Sequence, residues 1–232
     1  MTDPAVLLSA AIANNVAWCA AVCSAHGIGH RAEPTLWATD APPPRYYPDV
    51  ITVERGAEAS SVAGIIAGRR HAAVKDSFAQ LDLASHGLRV LFEARWLAWL
   101  PGGIRAAGPA LQWSAIRTIA DLARWEAAWA AGPDDRGTFP ATLLQRDDVH
   151  FLAGWRDGAI AAGFAVLEAG GVVGVTNEHG GLDVTGLAQG LAARGTRLAD
   201  QPVVGYVADR GSSALVDAGA TELGRLRVWA RP

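Results

Sequence analysis

The stretch that most restricts how this chain can fold is Val149 to Asn177, where three strand-like segments are joined by two very short turns. Val149–Trp155 and Ile160–Glu168 flank Arg156-Asp157-Gly158, and Asp-Gly is a strong hairpin signal because that turn needs positive φ. Gly170-Gly171 leads in the same way into Val172–Asn177. Beyond this meander the pattern predicts a helix over Thr185–Ala199, a strand over Val203–Ala208 and a short helix over Ser212–Ala218 ended by Gly219. A last strand is expected over Leu223–Ala230.

Earlier in the chain, Ala5–Ala25 is Ala-rich, free of Gly and Pro, and has apolar residues at helical spacing, with Gly27 and Gly29 ending it. Pro42, Pro43 and Pro44 predict a stiff surface loop. Tyr47–Glu54 reads as a strand, Ala57–Ala67 as a short helix, and Val74–Leu83 and Leu88–Leu100 as strands parted around Ser85–Gly87. Pro101–Pro109 is the best linker candidate. Ser114–Ala131 then reads as a helix with Ser114 as its N-cap, stopped by Gly132-Pro133. These boundaries divide the chain into 1–104, an N-terminal α/β region, and 105–232.

Lys75–Trp99 and Gly205–Trp229 share one plan: strand, small helix, glycine, strand ending in Trp. Gly87 would match Gly219, and Trp96 would match Trp229. A duplication explains this, as does the frequency with which β-α-β units look alike.

Half of the residues are hydrophobic, enough for a sizeable core, and the net charge of −3 gives no basic footprint for nucleic acid. Lys75 is the only lysine among otherwise Arg-based cations, which reads as a compositional bias. The start of the chain lacks a basic n-region, and no apolar run long enough to cross a bilayer is legible, so no membrane role is expected. With Cys19 and Cys23 the only cysteines, a disulfide scaffold is excluded and a reducing, cytoplasmic setting is expected. Cys19, Cys23, His26 and His30 have a spacing that suggests zinc. One helix would spread them over roughly 16 Å, so no metal is expected.

The order of elements from Val149 to Arg231 resembles the later part of a Gcn5-related N-acetyltransferase (GNAT) domain. The resemblance implies an α/β (α+β) fold: a mixed, mostly antiparallel sheet flanked by helices, with an N-terminal half that is either a second partial unit of the same kind or accessory. It also implies acetyl-CoA as co-substrate. The pantetheine arm of that co-substrate would lie along Val172–Asn177, so Val173, Gly174, Val175 and Thr176 are its expected backbone contacts. The stretch HGGLDVTGLAQGLAARG stands where the family holds the pyrophosphate, and Gly180 and Gly181 are the expected contacts there. It lacks the family's Gln/Arg-x-x-Gly-x-Gly/Ala pattern, and Asp183 introduces a negative charge. The family's tyrosine acid is also missing from Ser212–Ala218.

By the same resemblance Glu178, just after the splayed strand, is the candidate base for the incoming amine, with His179 beside it. A solvated turn is the plainer explanation of that pair. Independently of the resemblance, Trp37, Tyr46, Tyr47 and Trp155 lie near turns or loops and are the candidates for a substrate-cleft wall, with Trp37, Tyr46 and Trp155 the expected substrate contacts; plain packing is the commoner explanation of such residues. The implied function is transfer of an acetyl group to an amine of a small molecule or peptide. The alternative is a catalytically inactive relative that binds a ligand or protein partner in the former cofactor cleft.

Overall fold

The computed structural model describes residues 3–104, 111–194 and 201–231. Its elements in chain order are α1 (Pro4–Ala25), β1 (His30–Ala32), β2 (Leu36–Thr39), β3 (Val50–Thr52), α2 (Ala59–Ile65), β4 (Ala72–Asp76) and β5 (Arg89–Trp99). After them come β6 (Gln112–Ala115), α3 (Ile119–Trp129), β7 (Val149–Arg156), β8 (Ala159–Ala169), β9 (Val172–His179), α4 (Val184–Ala193), β10 (Val203–Ala208), α5 (Asp209–Asp217) and β11 (Thr221–Arg231). All strands join one mixed, mostly antiparallel sheet in the order β1-β2-β3-β4-β11-β5-β10-β9-β8-β7-β6. Helices flank both faces, in agreement with the fold class expected from sequence.

The sheet order shows how the halves are joined. In the first half an antiparallel β1-β2-β3 run is followed by α2, by β4 parallel to β3, by a single 3-10 turn and by β5. The second half repeats this with β7-β8-β9, α4, β10 parallel to β9, α5 and β11. Each half gives its last strand to the other. β5 pairs with β10, and β11 pairs with β4, while β5 and β11 pair antiparallel at the centre. Ala94 faces Leu226 at that central seam. Gly87 and Gly219, as far apart in sequence as that pair, both take left-handed φ values, 77° and 97°, before β5 and β11. The sequence echo is therefore a structural repeat. The expected division at 104/105 adjoins residues outside the described set, and β11, from the second half, lies between two strands of the first.

Side-chain alternation sorts the core into two layers. On one face α1 packs over Ala94, Trp96, Val204, Leu226 and Val228, and α3 with Phe139 covers Phe151, Ala153 and Ala165. On the other, Leu187 and Leu191 of α4 meet Leu152, Phe164, Val173 and Val175, while Val62 and Ile66 sit on Val50, Val74 and Trp229. α1 is long and apolar enough to cross a membrane by length and composition alone, which sequence inspection did not bring out. Its buried residues, among them Asn14, Asn15 and Trp18, face the sheet as a core helix does.

Three local readings are corrected. The helix expected over Ser114–Ala131 is a strand and then a helix: Gln112–Ala115 pairs with Leu152–Trp155, and Thr118 accepts from Asp121 N–H as the true N-cap. The strand expected over Val74–Leu83 stops at Asp76, whose carboxylate accepts from Phe78 and Leu81 N–H and turns the chain. The strand expected over Tyr47–Glu54 is only Val50–Thr52, because Tyr46 has φ 72° and Tyr47 N–H closes a turn on Pro44.

Candidate active site

β9 and β10 pair at only two positions, Val173↔Val203 and Gly174↔Val204. Both strands then run on, β9 to His179 and β10 to Ala208, without further pairing. This leaves the β9 backbone beyond Gly174 as a free strand edge, of the kind that accepts an extended ligand as an added strand. A register change accompanies the divergence. Across from β8 the register slips between Gly163↔His179 and Ala165↔Thr176, so β9 carries one extra residue. Asn177, at φ 53°, sits in that bulge. Bulges bend a strand and re-aim its side chains, and they concentrate beside active sites.

The bulge is held from three sides. Asn177 Nδ2 lies 3.5 Å from the Tyr47 hydroxyl, which accepts from Trp18 Nε1 at 3.0 Å. His179 packs edge-on against Trp125 at 4.8 Å, and Gly163 makes room for both rings, since a Cβ there would lie 2.4 Å from the His179 ring. Burial lowers the His179 pKa, which favours its neutral form. Gly174 is needed for the fit of α1: a Cβ would come within 1.7 Å of Asn14 Oδ1. Asn14 in turn donates to the carbonyls of Leu167 and Ala169 at 3.0 and 3.2 Å.

Between α1 and the open part of the gap lies a polar cluster that sequence inspection missed. Lys75 is 4% exposed. Its ammonium donates to Asn15 Oδ1 at 2.7 Å and to the Tyr206 hydroxyl at 3.2 Å, and it stands 4.3 Å from the centre of the Tyr206 ring. No carboxylate pairs with it among the described residues. Asn15, Thr176 and Tyr206 line one narrow cavity at the point where β9 and β10 part. The single lysine of the chain was read as compositional bias; its uniqueness was the only available signal. Burial, helped by Cys19, pushes the Tyr47 hydroxyl well above its usual range. Burial also raises both thiols, Cys23 to about 12, with smaller contributions from Cys19 and Asp49. They remain protonated packing groups. No cluster of three or more His, Cys, Asp or Glu able to hold a metal occurs among the described residues.

The expected site residues divide as follows. Val173 and Val175 face α4, whereas Gly174 and Thr176 face α1. Gly180 and Gly181, at φ 75° and 67°, form the turn into α4 and border a pocket of about 230 Å³ together with Arg156 and Gln189. Asp183 caps α4 by accepting from Gly186 N–H at 2.7 Å. Glu178 directly follows the bulge residue and is solvent-exposed, with no hydrogen bond or ion pair of its side chain among the described residues. Loss of hydration to the surrounding protein pushes its carboxyl up to about 7. Its access to solvent offsets part of that effect.

Of Trp37, Tyr46 and Trp155, Tyr46 borders an open pocket, together with its neighbour Tyr47. Trp37 is 3% exposed, tilted against the His30 ring and packed in the core, so it takes the packing role that was its plainer reading and lies away from a cleft wall. Trp155 is also displaced from the expected role. It lies on β7, separated from the β9–β10 gap by β8, with its Nε1 donating to Ser114 and Arg124 over its ring.

This architecture is shared with solved structures. A GCN5-related N-acetyltransferase from Kribbella flavida matches at TM-score 0.60 and 15% identity, over 94% of this chain and 95% of that one. A functionally unknown conserved protein from Staphylococcus epidermidis matches at TM-score 0.63 and 10% identity, over 88% and 94%. A putative GNAT-family acetyltransferase from Novosphingobium aromaticivorans matches at 0.54 and 18%, over 87% and 89%. No protein-family model matches the chain, and no curated protein matches it. The fold is that of the Gcn5-related N-acetyltransferases, and the match to the first of these structures extends over both halves.

Proposed function

We propose that this protein transfers an acetyl group from acetyl-CoA to an amine. The observation that carries this reading is the parting of β9 from β10 beyond Gly174, with a bulge against β8 at Asn177 and Glu178 directly after it. The free β9 edge suits the amide groups of a pantetheine arm. Gly180 and Gly181 leave backbone at the start of α4 open to a phosphate. Arg156, which has no side-chain partner among the described residues, is the cation nearest to hand in that pocket. Asp183 alters this end of the site, because it already occupies the Gly186 N–H.

When bound, acetyl-CoA supplies an activated acyl group as a thioester. The chain's own residues then have separate tasks. Exposed β9 amides donate to the carbonyl oxygen on which charge develops. Glu178, whose carboxyl is pushed upward from its ordinary range, takes the proton from the attacking amine. The Tyr206 hydroxyl, beside the Lys75 ammonium and lining the narrow cavity where β9 and β10 part, would return a proton to the departing sulfur.

Calorimetric titration with acetyl-CoA tests this reading, followed by thiol release in the presence of an amine panel. Micromolar binding, with turnover lost in Glu178→Gln but binding retained, is the expected result. A folded protein that binds neither acetyl-CoA nor its pantetheine fragment overturns it and leaves the non-catalytic alternative.

A further inference from the structure

The first half of the molecule holds a second pocket, of about 740 Å³, at the end of the sheet where β4, β11 and β5 meet the 42–47 loop. Its walls are mainly apolar: Pro43, Tyr46, Leu91 and Ala230 contribute to them. Tyr46 and Leu91 are 55% and 59% exposed, a large apolar area to leave uncovered on one rim. Tyr46 is also held at φ 72°, outside the range that a bulky residue normally adopts, and leans edge-on against Trp129. Strain of this kind persists only where the surroundings impose it, and it concentrates at ligand clamps.

The charges around this pocket are unequal. Asp49 is buried and paired with Arg69 at 2.5 Å, so it adds no free negative charge. Arg45 is paired with Asp135 at 2.6 Å. Arg231 donates to the carbonyls of Ile66, Arg69 and His86, which leaves its charge without a carboxylate. Arg89 is exposed and has no side-chain partner among the described residues. His71 completes the rim. The pocket therefore presents one free guanidinium fork, a second uncompensated positive charge and no free carboxylate. A planar guanidinium matches a carboxylate through two parallel hydrogen bonds.

Tyr47 connects this pocket to the transfer site. It borders the pocket, and its hydroxyl lies 3.5 Å from Asn177 Nδ2, one residue before Glu178. We infer that this pocket binds the acyl acceptor, and that the acceptor is a small amphipathic molecule with an apolar body, a carboxylate held by Arg89, and its amine directed past Tyr47. This rests on the acetyl-transfer reading for the role of the amine, but the binding of an apolar carboxylate stands independently of it.

Calorimetry with 3-phenylpropanoate and with its uncharged amide tests the binding, using the full chain without acetyl-CoA. The carboxylate should bind and the amide should bind at least roughly tenfold more weakly, as loss of a charge-assisted pair requires. Arg89→Met should erase that preference. Leu91→Ser should weaken carboxylate and amide alike. Equal binding of the two, binding of neither, or an Arg89→Met variant that keeps the preference overturns the inference. Inorganic phosphate competing as well as the carboxylate would also overturn it, by reducing the pocket to a general anion site. The two proposals fail separately. Acetyl-CoA binding without carboxylate binding removes this pocket and leaves acetyl transfer standing, whereas the reverse keeps the pocket and removes acetyl transfer. If both bind, phenylalanine-like amines should be acetylated with a KM raised by Arg89→Met more than kcat is lowered.

Discussion

Lys75 and Tyr206, which come from different halves of the chain, meet with the ammonium 3.2 Å from the phenol oxygen and 4.3 Å from the ring centre. Neither strand pairs with the other; β11 and β5 lie between them. The contact exists because each half lends its last strand to the other and α1 closes over the seam. Replacing Lys75 with Met leaves Asn15 Oδ1 without its donor. We expect a loss of about 1–3 kcal/mol in urea unfolding. Adding Asn15→Leu should recover part of it, since an apolar pair leaves no polar atom unsatisfied.

Gly174 and Asn14 form a second such pair. Gly174→Ala brings a Cβ within 1.7 Å of Asn14 Oδ1. An overpacked site of this kind costs about 1–3 kcal/mol. Asn14→Gly should be costly alone, through loss of its bonds to the Leu167 and Ala169 carbonyls. In the double variant the clash disappears, so the two losses should fall well short of adding. Additive losses in chemical denaturation would mean that α1 does not seat on Gly174.

Asn177 tests the bulge. Its φ of 53° favours Gly or Asn. Asn177→Ala should lower stability by about 1–2 kcal/mol, and Asn177→Gly by less. Both should impair acetyl-CoA binding less than they impair turnover, because the strand edge survives while the Tyr47 contact is lost.

The pH dependence follows from Glu178, whose carboxyl is pushed up to about 7 by loss of hydration. A base must be deprotonated, so kcat/KM should rise with pH through the raised Glu178 pKa, above the ordinary carboxylate range, and level off above it. Stability runs the other way. Folding raises this pKa, so the folded state holds the proton more tightly than the unfolded chain. That contribution is full below the ordinary carboxylate range and is lost as pH rises through the raised folded-state pKa. Glu178→Gln should remove both dependences. An unchanged rate profile in that variant would exclude Glu178 as the base.

Much of the second half was legible because its signals are local. Asp157-Gly158 and Gly170-Gly171 take the positive φ values that their turns require, and the register of β7, β8 and β9 follows from them. Val203–Ala208 was bounded correctly for the same reason: a short apolar run between breakers. Ser114 misled because an N-cap residue before an apolar helix also fits the end of an edge strand. Only pairing with β7 distinguishes the two. Trp37, a tryptophan near loops that can turn either way, turns into the core, as its plainer reading had it.

The sequence by itself determined the turns, most of the strands, the helical character of α1 and the echo between Lys75–Trp99 and Gly205–Trp229. These depend on φ preferences and on periodicity, which act within a few residues. Only the tertiary structure decided that the last strands are exchanged, that Lys75 reaches Tyr206, and that Tyr47 stands between the Arg89 pocket and the bulge at Asn177. Those contacts join residues from distant parts of the chain through packing and hydrogen bonds across one sheet. No local preference encodes which distant partner a strand edge or a buried ammonium will meet.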